Sequence, residues 1–281
     1  MKKLVNPLQN VSIETIFKDC NKSYTISKEH FACNKYLPKI IEYTNMYKKH
    51  VPKDVSFLNQ NDIFENKPND KQLLIDYYKH KFVQVSKIRK KYYDVIIANA
   101  NGTCPICGQI TDLTIDHYLP KSKYPLLSLS PINLIPCCYS CNKDKGDWDP
   151  IPLEKAPIHI YLEEINEVWL GVDITFHNGE INYKFKAIHS DNTYNDRLNF
   201  SLEKYKMSSR FKGNCVFEIN SSKNMYKKYV ETDPSLTLLE KHFMEIIESC
   251  EYSDKNSWKS ALYRGLLNNI EEFANWLQCH S

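Results

Sequence analysis

The chain has 281 residues, 42% of them hydrophobic and 12% aromatic, which is enough apolar material for a folded core and excludes a disordered chain. No apolar run approaches the ~20 residues that span a bilayer, and the first residues lack the apolar stretch of a secretory signal, so we expect a cytoplasmic protein. The formal net charge of +3 excludes a strong basic field over the whole molecule.

A helical N-terminal region is predicted over residues 1–98. Apolar residues recur there at intervals of three and four, over residues 38–49 and again over residues 70–98. The polar residues 59–71 between these stretches predict a loop. Residues 71–91 carry seven Lys or Arg side chains against one acid, Asp76. This basic stretch fits either a solvated helix face or a surface that contacts phosphates.

Two Cys-x-x-Cys pairs mark the next segment, residues 99–150. They are Cys104 with Cys107 and Cys138 with Cys141. Four thiolates at this spacing predict a tetrahedral zinc ion, and a sphere closed by four sulfurs leaves no position for water, so the zinc would be structural. Two reduced pairs without metal, or a redox pair, are the alternatives, but a redox pair is typical of a βαβ pattern that this segment lacks. The other six cysteines show no pairing pattern and are expected to be buried: Cys20, Cys33, Cys137, Cys215, Cys250 and Cys279.

The thirty residues between the two pairs exceed the usual zinc-ribbon gap, so additional structure must lie there. A short strand-like run ends at Asp116-His117, and Asn133 lies on the return toward the second pair. Asn142 directly follows Cys141 and opens a short helix that Gly146 stops. We therefore expect these polar side chains to lie on one zinc-stabilised frame.

These features together resemble the HNH endonuclease motif, or ββα-metal finger, in its four-cysteine form. The resemblance covers about residues 99–147. The matching text is Cys104-Pro-Ile-Cys107, Leu113-Thr-Ile-Asp-His117 and Asn133-Leu-Ile-Pro-Cys-Cys138-Tyr-Ser-Cys141-Asn142. The final histidine of the motif's name is Asn142 here, which bears on metal preference more than on activity.

The resemblance implies a role for each matching residue. His117 would be the general base that deprotonates water, since an imidazole with a pKa near ~6.5 can accept that proton at neutral pH. Asp116 and Asn142 would hold a catalytic Mg²⁺ or Mn²⁺ ion. Asn133 would orient the His117 ring and its loop. An isolated histidine is more often a structural one, but the surrounding Asp, Asn and Cys residues favour catalysis.

Four lysines surround this centre in the sequence. Each of them fits either a contact with a substrate phosphate or a solvated position. They are Lys121, Lys123, Lys143 and Lys145.

The C-terminal region, residues 151–281, is predicted to be α+β. Alternating apolar residues over about 168–187 flank Asn178-Gly179, the dipeptide that suits a type I′ turn, and predict a β-hairpin. Helical periodicity follows over residues 195–208, 234–250 and 257–277. The predicted fold class is thus α+β, with mostly helical regions flanking a small zinc-stabilised finger and a hairpin after it.

The predicted function is a metal-dependent HNH endonuclease that hydrolyses DNA. A zinc-structured nucleic-acid binding module without catalysis is an alternative, but loss of activity would be expected to replace Asp116, His117 or Asn142. The long flanks, with Asn256 to Arg264 near the end, loosely resemble nuclease subunits of bacterial anti-phage defence systems, which implies an ATPase or another subunit as partner. A restriction or mobile-element nuclease is the other setting considered. One site cuts one strand, so double-strand cleavage would need a homodimer or repeated nicking.

Overall fold

The computed structural model describes residues 1–22 and 28–279, and the side chains of residues 1–22 and 34–279. The chain divides into two compact units, Met1–Glu164 and Ile165–Ser281. The helical N-terminal region and the cysteine-bearing segment therefore share the first unit, and the division lies after the expected boundary at residue 150. None of the described helices is both long enough and apolar enough to cross a bilayer.

The first unit consists of helices around one short hairpin. Its helices are α1 (Ile13–Lys22), α2 (Lys28–His50), α3 (Asn61–Phe64), α4 (Pro68–Tyr77), α5 (Ser86–Ile88), α6 (Asp94–Ala98) and α7 (Tyr139–Lys145). Its strands are β1 (Leu113–His117) and β2 (Leu134–Cys138). Helix α2 is longer than the predicted 38–49, and α3 lies within the predicted loop.

The helix predicted over residues 70–98 is interrupted. Val85 is extended, with ψ of 106°, and π-helical turns cover Tyr78–Val83 and Arg89–Tyr93. Both adjacent tyrosine pairs, Tyr77-Tyr78 and Tyr92-Tyr93, are buried. Neighbouring side chains of a straight α-helix point about 100° apart, so burying both members of each pair requires more than one apolar stripe. The wider π-helical turns occur next to these pairs, where the regular helical pattern fails.

The apolar core of the first unit joins the helices to the hairpin. Tyr77, Phe82 and Ile96 of the helical region share one buried cluster with Ile115 of β1 and Leu134 of β2. The hairpin thus contributes side chains to a core that it could not build alone.

The second unit packs helices against a second hairpin. Strands β3 (Leu170–His177) and β4 (Glu180–Ala187) pair antiparallel, and helices α8 (Asn192–Lys204), α9 (Met207–Thr232), α10 (Thr237–Asp254), α11 (Trp258–Asn268) and α12 (Ile270–Cys279) follow. Asn178 and Gly179 have φ of 50° and 82°, which confirms the predicted type I′ turn. A Cβ on Gly265 would lie 2.7 Å from Val172 Cγ1, so α11 approaches β3 more closely than a larger residue would allow.

Two helix predictions in this unit were incomplete. Helix α9 extends to Thr232 over residues for which no helix was predicted. The helix predicted over 257–277 is divided at Asn269, whose side chain donates to the Gly265 carbonyl at 2.7 Å. The predicted α+β class is confirmed: the described residues are mostly helical and carry two small antiparallel hairpins.

Candidate active site

Strands β1 and β2 and helix α7 form a small finger around the four cysteines. The strands pair antiparallel, with Leu113 opposite Cys138 and His117 opposite Leu134. Cys138 ends β2 and caps α7, because its sulfur accepts a hydrogen bond from the Cys141 amide at 3.4 Å. The predicted order of strand, return strand and helix is therefore present.

The four thiols of Cys104, Cys107, Cys138 and Cys141 are buried and lie within 4.8 Å of one another. The sulfurs of Cys107 and Cys138 are 3.8 Å apart. Tetrahedral zinc with sulfur ligands at about 2.3 Å requires sulfur–sulfur edges of about 3.8 Å, so this donor set fits the ion. Hydrogen bonds among the four thiols lower the pKa of Cys104 and Cys138 and raise the pKa of Cys107 and Cys141, so the fit to zinc rests on the sulfur positions.

The remaining cysteines only partly follow the expectation of burial. Cys20, Cys137 and Cys215 are buried, and burial raises the pKa of the Cys137 thiol well above its ordinary value. Cys250 is half-buried and Cys279 is exposed in the last turn of α12, so the prediction was wrong for these two. The side chain of Cys33 lies outside the described residues.

Asp116 forms a buried ion pair with Lys145. Their closest atoms, Asp116 Oδ2 and Lys145 Nζ, are 3.2 Å apart, and the two side chains are 10% and 2% exposed. Lys145 also donates to the His117 carbonyl at 2.6 Å, and Asp116 accepts from the His117 amide at 2.8 Å. Burial raises the pKa of Asp116, against the opposing effect of Lys145. Lys145 thus neutralises the carboxylate from inside the fold instead of extending to solvent.

His117 ends β1, and its ring is nearly enclosed, with 4% of the residue exposed. Its Nε2 lies 2.9 Å from the Ser128 carbonyl oxygen. A carbonyl only accepts, so Nε2 carries the proton and Nδ1 keeps the lone pair. Burial, and then the positive charge of Lys121, lowers the pKa of His117 to about 3, which leaves the imidazole neutral.

Asn133 holds the loop that follows His117. It is fully buried, and its side chain accepts from the Leu119 amide at 2.7 Å. It donates to the carbonyls of Leu119 and Leu127 at 3.0 and 3.1 Å. These hydrogen bonds join the start and end of the loop that presents Ser128 to the His117 ring. Asn133 therefore bears on the ring through this loop, while Ser128 makes the contact.

Asn142 lies on α7 beside β1. Its amide nitrogen donates to the Ile115 carbonyl at 3.3 Å, so the side-chain oxygen is the atom suited to bind a cation. This oxygen and the Asp116 carboxylate are hard donors of the kind that Mg²⁺ prefers, and in that respect the pair fits such an ion.

Of the predicted phosphate-binding lysines, Lys143 and Lys123 are exposed, and Lys123 Nζ lies 3.3 Å from Asp149 Oδ2.

Comparison with protein families matches residues 104–147 to the family model described as HNH endonuclease. Residues 104–147 are therefore similar to the HNH endonuclease family over the segment that contains the finger. The four-cysteine cluster fits the zinc-bearing type of HNH domain, and the family match supports a nuclease of the HNH type.

The chain is also similar to "Protein ea31" of Escherichia phage lambda. The two are 28% identical over 219 residues, which cover 70% of this chain and 72% of the phage protein. The similarity therefore extends well beyond the HNH domain. No solved structure matches the chain.

Two tyrosines outside the HNH domain contact it, and neither was identified as a site residue from the sequence. The ring of Tyr78 packs edge-to-face on His117, with ring centroids 4.5 Å apart. The Tyr93 hydroxyl lies 3.2 Å from Thr114 Oγ1 and accepts from the Ile115 amide at 3.4 Å. The apolar spacing over residues 70–98 predicted a helix, and it contained no information on the long-range contact with β1.

Proposed function

We propose that this protein is a metal-dependent HNH endonuclease that hydrolyses phosphodiester bonds in DNA. The observation that carries the proposal is the finger itself, in which Asp116-His117 and Asn142 stand on adjacent elements that the four cysteines tie together. The hydrogen bond from the Asn142 side chain to the Ile115 carbonyl, one residue before Asp116 on β1, supports their joint use in one site.

In the proposed reaction, Nδ1 of His117 takes the proton of the attacking water. His117 Nε2 donates its proton to the Ser128 carbonyl, so the lone pair is at Nδ1. The lowered pKa keeps Nδ1 unprotonated before the reaction, but it also makes Nδ1 a weaker base than the ordinary imidazole expected from the sequence. Access to the ring is narrow, because only 4% of the residue is exposed.

Asp116 and Asn142 are proposed to hold the divalent ion. The ion, Mg²⁺ or Mn²⁺, would offset the negative charge that develops on the phosphate and the leaving oxygen. Lys145 limits the negative charge of Asp116, so the protein offers the ion a partly neutralised carboxylate. Lys121, half-buried beside the His117 ring, together with exposed Lys123 and Lys143, is proposed to contact the phosphates that flank the cleaved bond.

The test is cleavage of supercoiled plasmid DNA by purified protein with Mg²⁺ or Mn²⁺. We expect wild type to nick the plasmid and the His117→Ala variant to lose at least about a hundredfold in rate, because general base catalysis contributes roughly 10²–10⁴-fold. Zinc content should stay at about one ion per chain, since His117 is not one of the four thiol ligands.

The matched control is His177→Ala, which removes an exposed histidine from the second hairpin. It should cut at the wild-type rate. A His117→Ala variant as active as wild type contradicts the assignment of the base, and a wild type that cuts no DNA with either ion contradicts the proposed activity.

The setting of this activity is a second proposal. Similarity to a protein of phage lambda favours a mobile-element nuclease over the defence-system effector. A defence role with an ATPase or another subunit, and a homodimer, stay predictions.

A further inference from the structure

The catalytic imidazole is held by a residue that the HNH domain does not supply. Tyr78 begins the π-helical turn after α4, and it is 7% exposed. Its ring meets the His117 ring at 72°, with the centroids 4.5 Å apart. This is the edge-to-face arrangement that aromatic pairs favour.

Two contacts are needed to fix an imidazole in one orientation. The hydrogen bond from Nε2 to the Ser128 carbonyl determines where one nitrogen points. A single hydrogen bond leaves the ring free to tilt about that axis, and an adjacent aromatic ring limits the tilt. The contact with Tyr78 therefore limits the tilt of the ring plane and, with it, the direction of the Nδ1 lone pair.

Tyr78 is itself held in place. Its ring stacks on Phe82 at 5.5 Å and 20°, and the Lys121 ammonium group lies 5.8 Å from its centroid. The second π-helical turn supplies a parallel support, since Tyr93 hydrogen-bonds the backbone of Ile115, two residues before His117. Rigid support of this kind is what a positioned catalytic group requires.

We propose that Tyr78 is a positioning residue that sets the orientation of the His117 imidazole, so that the helical N-terminal region completes the nuclease site. The proposal rests on the proposed function for its kinetic consequence. The part of the proposal that concerns the orientation of the His117 ring does not depend on the proposed function, because that orientation can be measured without substrate.

The kinetic test uses three variants of Tyr78 in the full chain. Tyr78→Phe keeps the aromatic ring and should cut within about threefold of wild type. Tyr78→Leu and Tyr78→Met both remove the ring, and they place two side chains of similar volume but different shape and flexibility in its position. Both should lower kcat by about 10- to 100-fold with little change in KM, because misplacing a reacting group acts on the chemical step.

The matched control is Tyr77→Leu. Tyr77 is the adjacent tyrosine, fully buried in the same core, and its ring stacks on Phe17 at 5.3 Å. It should lower the melting temperature about as much as Tyr78→Leu and leave kcat within about threefold. An equal loss of kcat in both variants overturns the proposal, as does a Tyr78→Leu or Tyr78→Met enzyme with wild-type kcat.

A spectroscopic readout separates this proposal from the proposed function. Nitrogen-15 spectra of the histidine rings, with the His117 signals assigned from the His117→Ala variant, report which ring nitrogen carries the proton. We expect a single Nε2-protonated form in wild type and Tyr78→Phe, and exchange broadening or a mixture of forms in Tyr78→Met. An unchanged His117 spectrum in Tyr78→Met overturns the proposal even if the wild-type protein cuts DNA. A changed spectrum supports the positioning role even if no cleavage is observed.

Discussion

Lys145 extends its ammonium group into the protein interior, where it meets the Asp116 carboxylate and the His117 carbonyl. From the sequence it was one of four equivalent lysines near the finger. The difference is geometric: Lys143, two residues earlier on α7, is exposed, whereas Lys145 lies on the side of the helix that faces β1. Two residues, just over half a turn of helix, thus separate an exposed lysine from one that pairs with a buried carboxylate.

Removing only one partner of this pair should be strongly destabilising. Lys145→Met leaves the Asp116 carboxylate buried without its counter-charge, which typically costs about 3–5 kcal/mol in the free energy of unfolding. The double variant Asp116→Asn with Lys145→Met has no unpaired charge and should recover at least half of that loss. Urea unfolding of the zinc-loaded proteins measures both values.

Lys143→Met is the control for this experiment. It removes a lysine from the exposed side of the same helix, so its effect should stay within about 0.5 kcal/mol. If the double variant is no more stable than Lys145→Met, the unpaired charge is not the cause of the loss.

At the scale of elements, the finger depends on which of two adjacent cysteines belongs to the thiol cluster. Cys137 and Cys138 are both buried on β2, but successive side chains of a strand point to opposite faces. Only Cys138 belongs to the group of four thiols. The Cys-x-x-Cys spacing predicted this choice, because the pair with Cys141 requires position 138 and not 137.

Substitution of Cys138 should therefore lower the zinc content, whereas substitution of Cys137 should leave it unchanged. Cys138→Ala removes a ligand and the N-cap of α7, so the variant should retain less than half of the wild-type zinc. Cys137→Ala removes only a buried sulfur and should retain about one ion per chain. Metal analysis after dialysis against a weak chelator gives the comparison, and zinc loss in Cys137→Ala would contradict the ligand set.

Elements of the finger were predictable because their signals are local. The spacing within each Cys-x-x-Cys pair and the Asp116-His117 pair each act within a few residues, and so does the Asn178-Gly179 turn of the second hairpin. The sequence could not predict the π-helical interruptions at Tyr78 and Arg89, which depend on how adjacent tyrosines are buried against other elements. Helix α9 carried a usable signal, since Phe211, Cys215 and Ile219 are buried at intervals of four, but its Ser, Gly and Asn residues weaken the helical propensity.

At the scale of the whole molecule, the helical region and the finger form one unit. Asn6 donates to the Pro131 carbonyl at 3.1 Å, and the Leu4 amide donates to the Ile160 carbonyl at 2.8 Å. These hydrogen bonds join the N-terminal segment to the finger and to the loop that follows it. Sequence reasoning separated these segments by composition, and the contacts that unite them are too distant along the chain to appear in a local pattern.

This organisation predicts how the molecule responds to loss of zinc. Zinc binding contributes roughly 10–16 kcal/mol to small zinc-dependent folds, so a chelator should remove much of the stability of the first unit. The second unit contains no member of the thiol cluster and has its own core around β3, β4 and α11. Hydrogen exchange with mass spectrometry, before and after chelation, should show that peptides covering β1, β2 and α7 lose protection while those covering β3 and β4 keep it.

Zinc added back in excess is the control, and it should restore protection in the first unit. Equal loss of protection in both hairpins would mean that the two units unfold as one, contrary to the prediction. Loss confined to residues 104–147, with α4 and the π-helical turns still protected, would mean that the helical region does not need the finger for its own core. The Tyr78 contact with His117 would then be a docking of two stable parts. Joint loss is the result expected from the shared buried cluster of Tyr77, Phe82, Ile115 and Leu134.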